Sequence, residues 1–167
     1  MSMSDAFIAE LTQEAETTRK VLSRLPEAKL TWKPHAKSMS LGQLGLHVAQ
    51  TPGQVADLIS ASVDGAPTFE RPQPASRAEI LQALDATIAN AISRLSSWND
   101  AALGEEWRMT AGGQTLMALP RAAMVRAIML NHWYHHRGQL AVYLRLLDEP
   151  VPSIYGPSAD ENPFMPS

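Results

Sequence analysis

Twelve prolines, by where they fall, constrain this chain more than any other feature. A proline lacks the N–H that a helix interior needs, and its ring collides with the preceding turn, so it ends or bends helices. The twelve leave four long stretches with apolar residues at the 3–4 spacing of a one-sided helix. The first covers about residues 5–25, with Ile8, Leu11, Ala15, Thr18, Leu22 and Leu25 on one face; Ser4 or Asp5 can cap it and Pro26 stops it. The second, about 41–63, opens on Ser40-Leu-Gly-Gln43, a capping box, and contains Pro52-Gly53, which predicts a kink. The third, about 77–97, opens on a second box, Ser76-Arg-Ala-Glu79, and carries Ile80, Leu84, Ile88, Ile92 and Leu95. The fourth begins at Pro120, suited to a first helical position, and runs to Leu147. Between Trp98 and Leu119 the pattern fits either a short hairpin or an extended crossover. Residues 148–167 form an irregular, Pro-rich tail in which Tyr155 and Phe164 are placed to pin it to the body. The expected architecture is all-α: one domain over residues 1–167, a four-helix bundle with its core in about 5–147 and a long crossover before the last helix.

Composition narrows the chemistry. The 167 residues suit one domain able to bury roughly 70% of its unfolded surface. With 45% apolar and 19% charged residues the chain is neither disordered nor membranous. Fourteen basic against seventeen acidic residues, with no basic stripe, exclude nucleic acid as the main partner. There is no cysteine, so disulfides, protein thiolate nucleophiles and Cys-ligated metals are excluded, and any metal must sit on His, Asp, Glu or backbone oxygen. The polar N-terminus lacks a signal core and no apolar run approaches a membrane span, so the expected location is cytoplasmic.

The chemistry-bearing residues are histidines in the fourth helix. At about 100° per residue, with His132 at zero, Val125 lies near 20°, His136 near 40° and Tyr143 near 20°. His132 and His136 are thus expected on the buried stripe one turn apart, where two imidazoles reach one ion. His47, beside the stripe of the second helix, is the candidate third ligand. His135 falls at the edge of the stripe. Gln139, near −20°, is placed to hydrogen-bond a ligand imidazole or a substrate. Arg137 falls about 140° away, where a structural contact is expected. Trp133 is expected to pack on another helix or a second subunit. His35 reads as solvated in a linker, and Asp160 and Glu161 either approach the site or stay in a solvated tail. Two accounts of His47, His132 and His136 stand side by side: polar core residues satisfied by water and carbonyls, or ligands of a shared cation.

These pieces resemble the DinB-like family of small four-helix metalloproteins. Leu30-Thr-Trp-Lys-Pro34, Ser40-Leu-Gly-Gln-Leu-Gly-Leu-His47, His132-Trp-Tyr-His-His-Arg-Gly-Gln-Leu140 and Val151-Pro-Ser-Ile-Tyr-Gly156 match in order and spacing over about residues 5–160. The resemblance implies a divalent metal, nickel or zinc, on His47, His132 and His136, an up-down-down-up bundle, and a homodimer. It also implies, from some relatives, a transferase or isomerase using a low-molecular-weight thiol.

Three neutral nitrogen ligands leave positions open on a zinc-like ion. Such an ion lowers the pKa of bound water to about 7 for hydrolysis, or takes a thiol cosubstrate as thiolate. The expectation is therefore a metal-dependent transferase or hydrolase of small molecules. The alternative is a non-catalytic bundle that binds a small ligand or partner around a structural or vestigial metal, favoured by the lack of an Asp or Glu within one turn of His132 on its inward face.

Overall fold

Helix α1 spans Met3–Ser23 in the computed structural model, which describes residues 1–165. Its cap is Ser2, not Ser4 or Asp5. The Ser2 hydroxyl accepts from the Asp5 N–H at 3.1 Å and the Asp5 carboxylate accepts from the Ser2 N–H at 2.9 Å, a closed capping box. After a 3-10 turn at Glu27–Lys29, α2 runs Leu41–Leu58 behind the predicted Ser40/Gln43 box. It stops short of Val63 because Val63–Asp64, strand β1, pairs with a later strand. Helix α3 spans Arg77–Ser96. Ser76 caps it, but the Glu79 carboxylate accepts from the Ala75 N–H at 2.7 Å instead of completing the box.

The stretch before the last helix departs from an all-α reading. A short helix, α4 (Asp100–Gly104), leads into strands β2 (Glu106–Ala111) and β3 (Gln114–Pro120). These form an antiparallel hairpin, and β1 adds to β2 in parallel, giving a three-stranded sheet in the order β1-β2-β3. Gly112 and Gly113 form the two-residue turn with φ of 56° and 79°, positive angles that a side chain would strain. The chain is therefore mostly helical with a small sheet. The hairpin docks on the end of α2: the buried Trp107 indole N–H donates to the carbonyls of Leu58 (3.1 Å) and Ala61 (2.8 Å).

The last helical stretch comprises α5 (Arg121–Met124), a π-helical stretch over Val125–Asn131, and α6 (His132–Leu146). Pro120 sits at the cap position, one residue ahead of the place expected. Hydrogen bonds spanning five residues instead of four widen the helix and rotate everything after it. The face buried in α6 is accordingly Trp133, Arg137, Leu140 and Leu144, with His132 and His136 at its edge, half-buried, and not on it as the wheel predicts. Leu130, about 160° from His132 on a regular wheel, is fully buried.

One apolar cluster joins the long helices. Within it Pro52, inside α2, cannot donate to the carbonyl four residues back, that of Val48. The Trp133 indole N–H takes that carbonyl at 2.8 Å. Where α2 meets α3, the Gly53 N–H donates to the Thr87 hydroxyl, which in turn donates to the Gln50 carbonyl, both at 3.1 Å. A Cβ at Gly53 would stand 2.3 Å from the Thr87 hydroxyl oxygen and 3.2 Å from the Thr87 backbone, so a side chain there would displace the hydroxyl from this bond.

The core also holds a charge. Arg137, 1% exposed, pairs with Glu14 of α1 at 2.6 Å and donates to the Glu14 carbonyl and the Thr18 hydroxyl. Tyr155 closes the group, accepting from Arg137 at 2.5 Å and donating to Glu14 at 3.0 Å, which pins the tail as expected. Phe164 does no pinning, being 78% exposed. Asp160 pairs with Arg145, and Glu161 with Arg24, so neither acid is free in solvent and neither reaches the histidines. Pro166 and Ser167, the end of that tail, lie outside the described residues. No described helix is long and apolar enough to cross a membrane.

Two expectations test these contacts. Trp133→Phe strands the buried Val48 carbonyl and loses ring volume, lowering unfolding free energy in urea by about 2–4 kcal/mol. Adding Pro52→Ala restores an N–H for that carbonyl, so the double variant is more stable than the two single losses summed predict.

Candidate metal centre

His47 sits on α2 immediately before Val48, and His132 sits on α6 immediately before Trp133. The Val48–Trp133 hydrogen bond thus brings the two histidines level across the helix pair. Their Nε2 atoms stand 3.3 Å apart. His136, one turn on, closes the group: its ring centroid lies 4.5 Å from that of His47 and 4.3 Å from that of His132, with planes near perpendicular. One nitrogen of each ring lies within 4.8 Å of the other two, an arrangement that could hold a metal ion. The fit is quantitative for the closest pair, because two nitrogens bound tetrahedrally at zinc bond lengths stand about 3.3–3.4 Å apart.

Protonation suits a cation. Burial, followed by the charges of His136, His132 and Arg71, pushes His47 down from 6.5 to about 4. Burial also lowers His132 and His136. All three are therefore neutral near pH 7, the form that offers a lone pair. The Gln139 carbonyl oxygen, which only accepts, lies 2.7 Å from Nδ1 of His136. The proton is thereby held on Nδ1 and Nε2 is left free. The Gln139 amide donates toward Nε2 of His135 at 3.2 Å. His135 itself is exposed and outside the cluster, and His35 is exposed in its linker, accepting from the Lys37 N–H. Arg137 and Trp133 point into the core although the wheel set both off the buried stripe; Arg137 makes the structural contact expected of it, with Glu14, and Trp133 packs on another helix, α2.

The histidines open onto a cleft of about 310 Å³. Its other walls are Leu58, Met124 and Ile128 from the helices, Met109 and Met117 from the hairpin, and Pro67, Phe69 and Arg71 from the segment after β1. Nothing in the sequence pattern marks Arg71, which lies in a Pro-rich stretch without periodicity. Met109 and Met117 were not paired by the sequence pattern either: they face each other only because the hairpin register shifts between Met109 and Thr110.

Comparison with known proteins decides the family. The family model described as DinB family matches residues 1–163. The chain belongs to the DinB family. Among relatives of this DinB chain, the YrdA protein of Bacillus subtilis (strain 168) is 29% identical over 161 residues, covering 94% of this chain and 90% of that protein. A DinB-like protein of Bacillus cereus ATCC 10987 superposes with a TM-score of 0.72 at 22% identity, over 90% of this chain and 97% of the other. YjoA, a DinB-like protein of Bacillus subtilis, gives 0.67 at 16% identity, over 89% and 97%. At these identities the two structures bear on the fold alone.

The depressed His47 pKa has a consequence for stability. Below pH 6.5 the unfolded chain takes up a proton that the folded site refuses until about pH 4. Stability is therefore full above that window and falls as pH drops through it. The metal-free protein should lose melting temperature from pH 6.5 towards 4, and His47→Gln should lose less over the same range.

Proposed function

We propose that His47, His132 and His136 bind a divalent metal, nickel or zinc, and that the protein is a metal-dependent enzyme acting on a small molecule in the adjoining cleft. One observation carries this reading: three neutral imidazoles converge at ligand spacing and face a cleft, not the core. An ion held by three nitrogens supplies Lewis-acid polarisation and acidifies a bound thiol or water.

The cleft lining favours transfer to a low-molecular-weight thiol over hydrolysis. No carboxylate lines the cleft among the described residues, so the chain offers no general base there to activate water. A thiol needs less help to ionise, since its pKa is far below that of water. The chain's own parts in the reaction are to keep three imidazoles neutral, to hold Nδ1–H of His136 on Gln139, and to surround the substrate with apolar walls that exclude water. The same missing carboxylate supports the second reading, a non-catalytic ligand-binding protein with a structural metal. The up-down-down-up helix order, a homodimer and a cytoplasmic location go with the first proposal.

Tag-free protein should carry about one equivalent of metal by elemental analysis, and His132→Ala should carry none. Gln139→Leu should bind the metal about 10–100-fold more weakly while keeping its fold. Metal-loaded protein incubated with alkyl and aryl electrophiles and a panel of biological thiols should give thioether products that His132→Ala does not. Full metal binding without turnover on any pair would favour the second reading.

A further inference from the structure

The charge in the cleft has no partner among the described residues. The chain has ten arginines. Nine donate to a protein acceptor: Arg19, Arg24, Arg94, Arg108, Arg126, Arg137 and Arg145 to carboxylates, Arg77 to the Leu25 carbonyl, and Arg121 to the carbonyls of Ile59 and Ala102. Arg71 has no acceptor for its guanidinium among the described residues. It nevertheless lines the same cleft as the three histidines, and its charge acts on each of them.

Arg71 is placed by the fold. The Gln43 side chain, whose carbonyl oxygen caps α2, donates through its amide to the Arg71 carbonyl at 2.8 Å. Two residues on, Gln73 donates to the Leu30 carbonyl at 3.0 Å and accepts from the Ser40 hydroxyl at 2.6 Å. Pro72 and the buried Pro74 stiffen the segment between and after these anchors. The backbone that carries the guanidinium is thus strapped to the start of α2, the helix that also carries His47.

We infer that the cleft takes an amphiphilic small molecule, an apolar body with one anionic group, and that Arg71 is the residue that binds the anion. The apolar body lies against Phe69, Met109, Met117 and Ile128. A guanidinium presents a planar fork of donors that matches a carboxylate, and next to apolar walls such a pair is stronger than in open water. At about 310 Å³ the cleft is at the small end of ligand pockets, a size that suits a small molecule. This inference deepens the proposed function by naming the substrate class, but the anion site itself does not require the metal.

The test titrates octanoate into metal-free protein by calorimetry, with octanamide as the uncharged control. Wild type should bind octanoate, and Arg71→Met should bind it about tenfold more weakly or less well still. Octanamide should bind both proteins alike. Met117→Glu, at a partly exposed wall position, should also weaken octanoate, which locates the ligand in this cleft. Melting temperatures of both variants should match wild type, since each change is at the surface. No octanoate binding by wild type, equal binding by Arg71→Met, or undiminished binding by Met117→Glu overturns the inference. The two readings fail separately: a protein that takes up no metal yet shows this Arg71 dependence loses the metal centre and keeps the anion site. A protein that binds metal as proposed while ignoring Arg71→Met loses the anion site alone.

Discussion

A carbonyl left over by a proline sets the geometry of this protein. Pro52 withholds the hydrogen bond that Val48 would receive in an unbroken helix, and a buried unpaired carbonyl is costly. Trp133 supplies the missing donor from another helix. That single bond aligns α2 with α6 at one register, and in both helices the neighbouring residue on the N-terminal side is a histidine, His47 or His132. The Nε2 separation of 3.3 Å follows from this alignment. A proline that would look like a defect in an isolated helix is here what pairs the two helices.

The π-helical stretch completes the adjustment. A regular helix from Arg121 onward would carry Val125, His132, His136 and Tyr143 on one stripe and bury them together. Widening over Val125–Asn131 turns α6 so that Trp133, Arg137, Leu140 and Leu144 take the core. The histidines are left at the boundary, half-buried. That position reconciles two demands on a site of this kind. Burial depresses the imidazole pKa values enough to keep all three neutral, while the open side leaves room for a ligand. Arg137, turned inward by the same rotation, is the charge that must then be neutralised, and Glu14, Thr18 and Tyr155 surround it. Its burial ties α1 and the tail to the helix that carries the site.

Much of this was legible in the sequence, and the part that was not has a common physical origin. The prolines and the Ser40/Gln43 box located α2, and His132 and His136 at i, i+4 with His47 elsewhere are the three rings that converge. These signals are local, one turn long or less. The π-helical stretch was hidden because Val125–Asn131 contains no proline or glycine and reads as ordinary helix. The sheet was half visible: Gly112-Gly113 marked a turn, but β1, only Val63–Asp64, pairs across more than forty intervening residues. Arg71 was invisible because its position depends on Gln43 and Gln73 reaching across from separate segments.

The elements the sequence revealed and those it hid contribute different things to the cleft. The helices hold the three imidazoles, and the long helices are joined through one apolar cluster. The hairpin and the segment after β1 hold Met109, Met117, Phe69 and Arg71, which line the cleft beside those imidazoles together with Leu58, Met124 and Ile128 of the helices. In this arrangement the helical part can stay constant while the walls change, since a substitution at Met117 or Arg71 touches neither the Val48–Trp133 bond nor the Gln139 contact. The histidine cluster and much of the cleft wall therefore rest on separate parts of the chain, and under the proposed function the choice of ligand is set largely by the least regular of them.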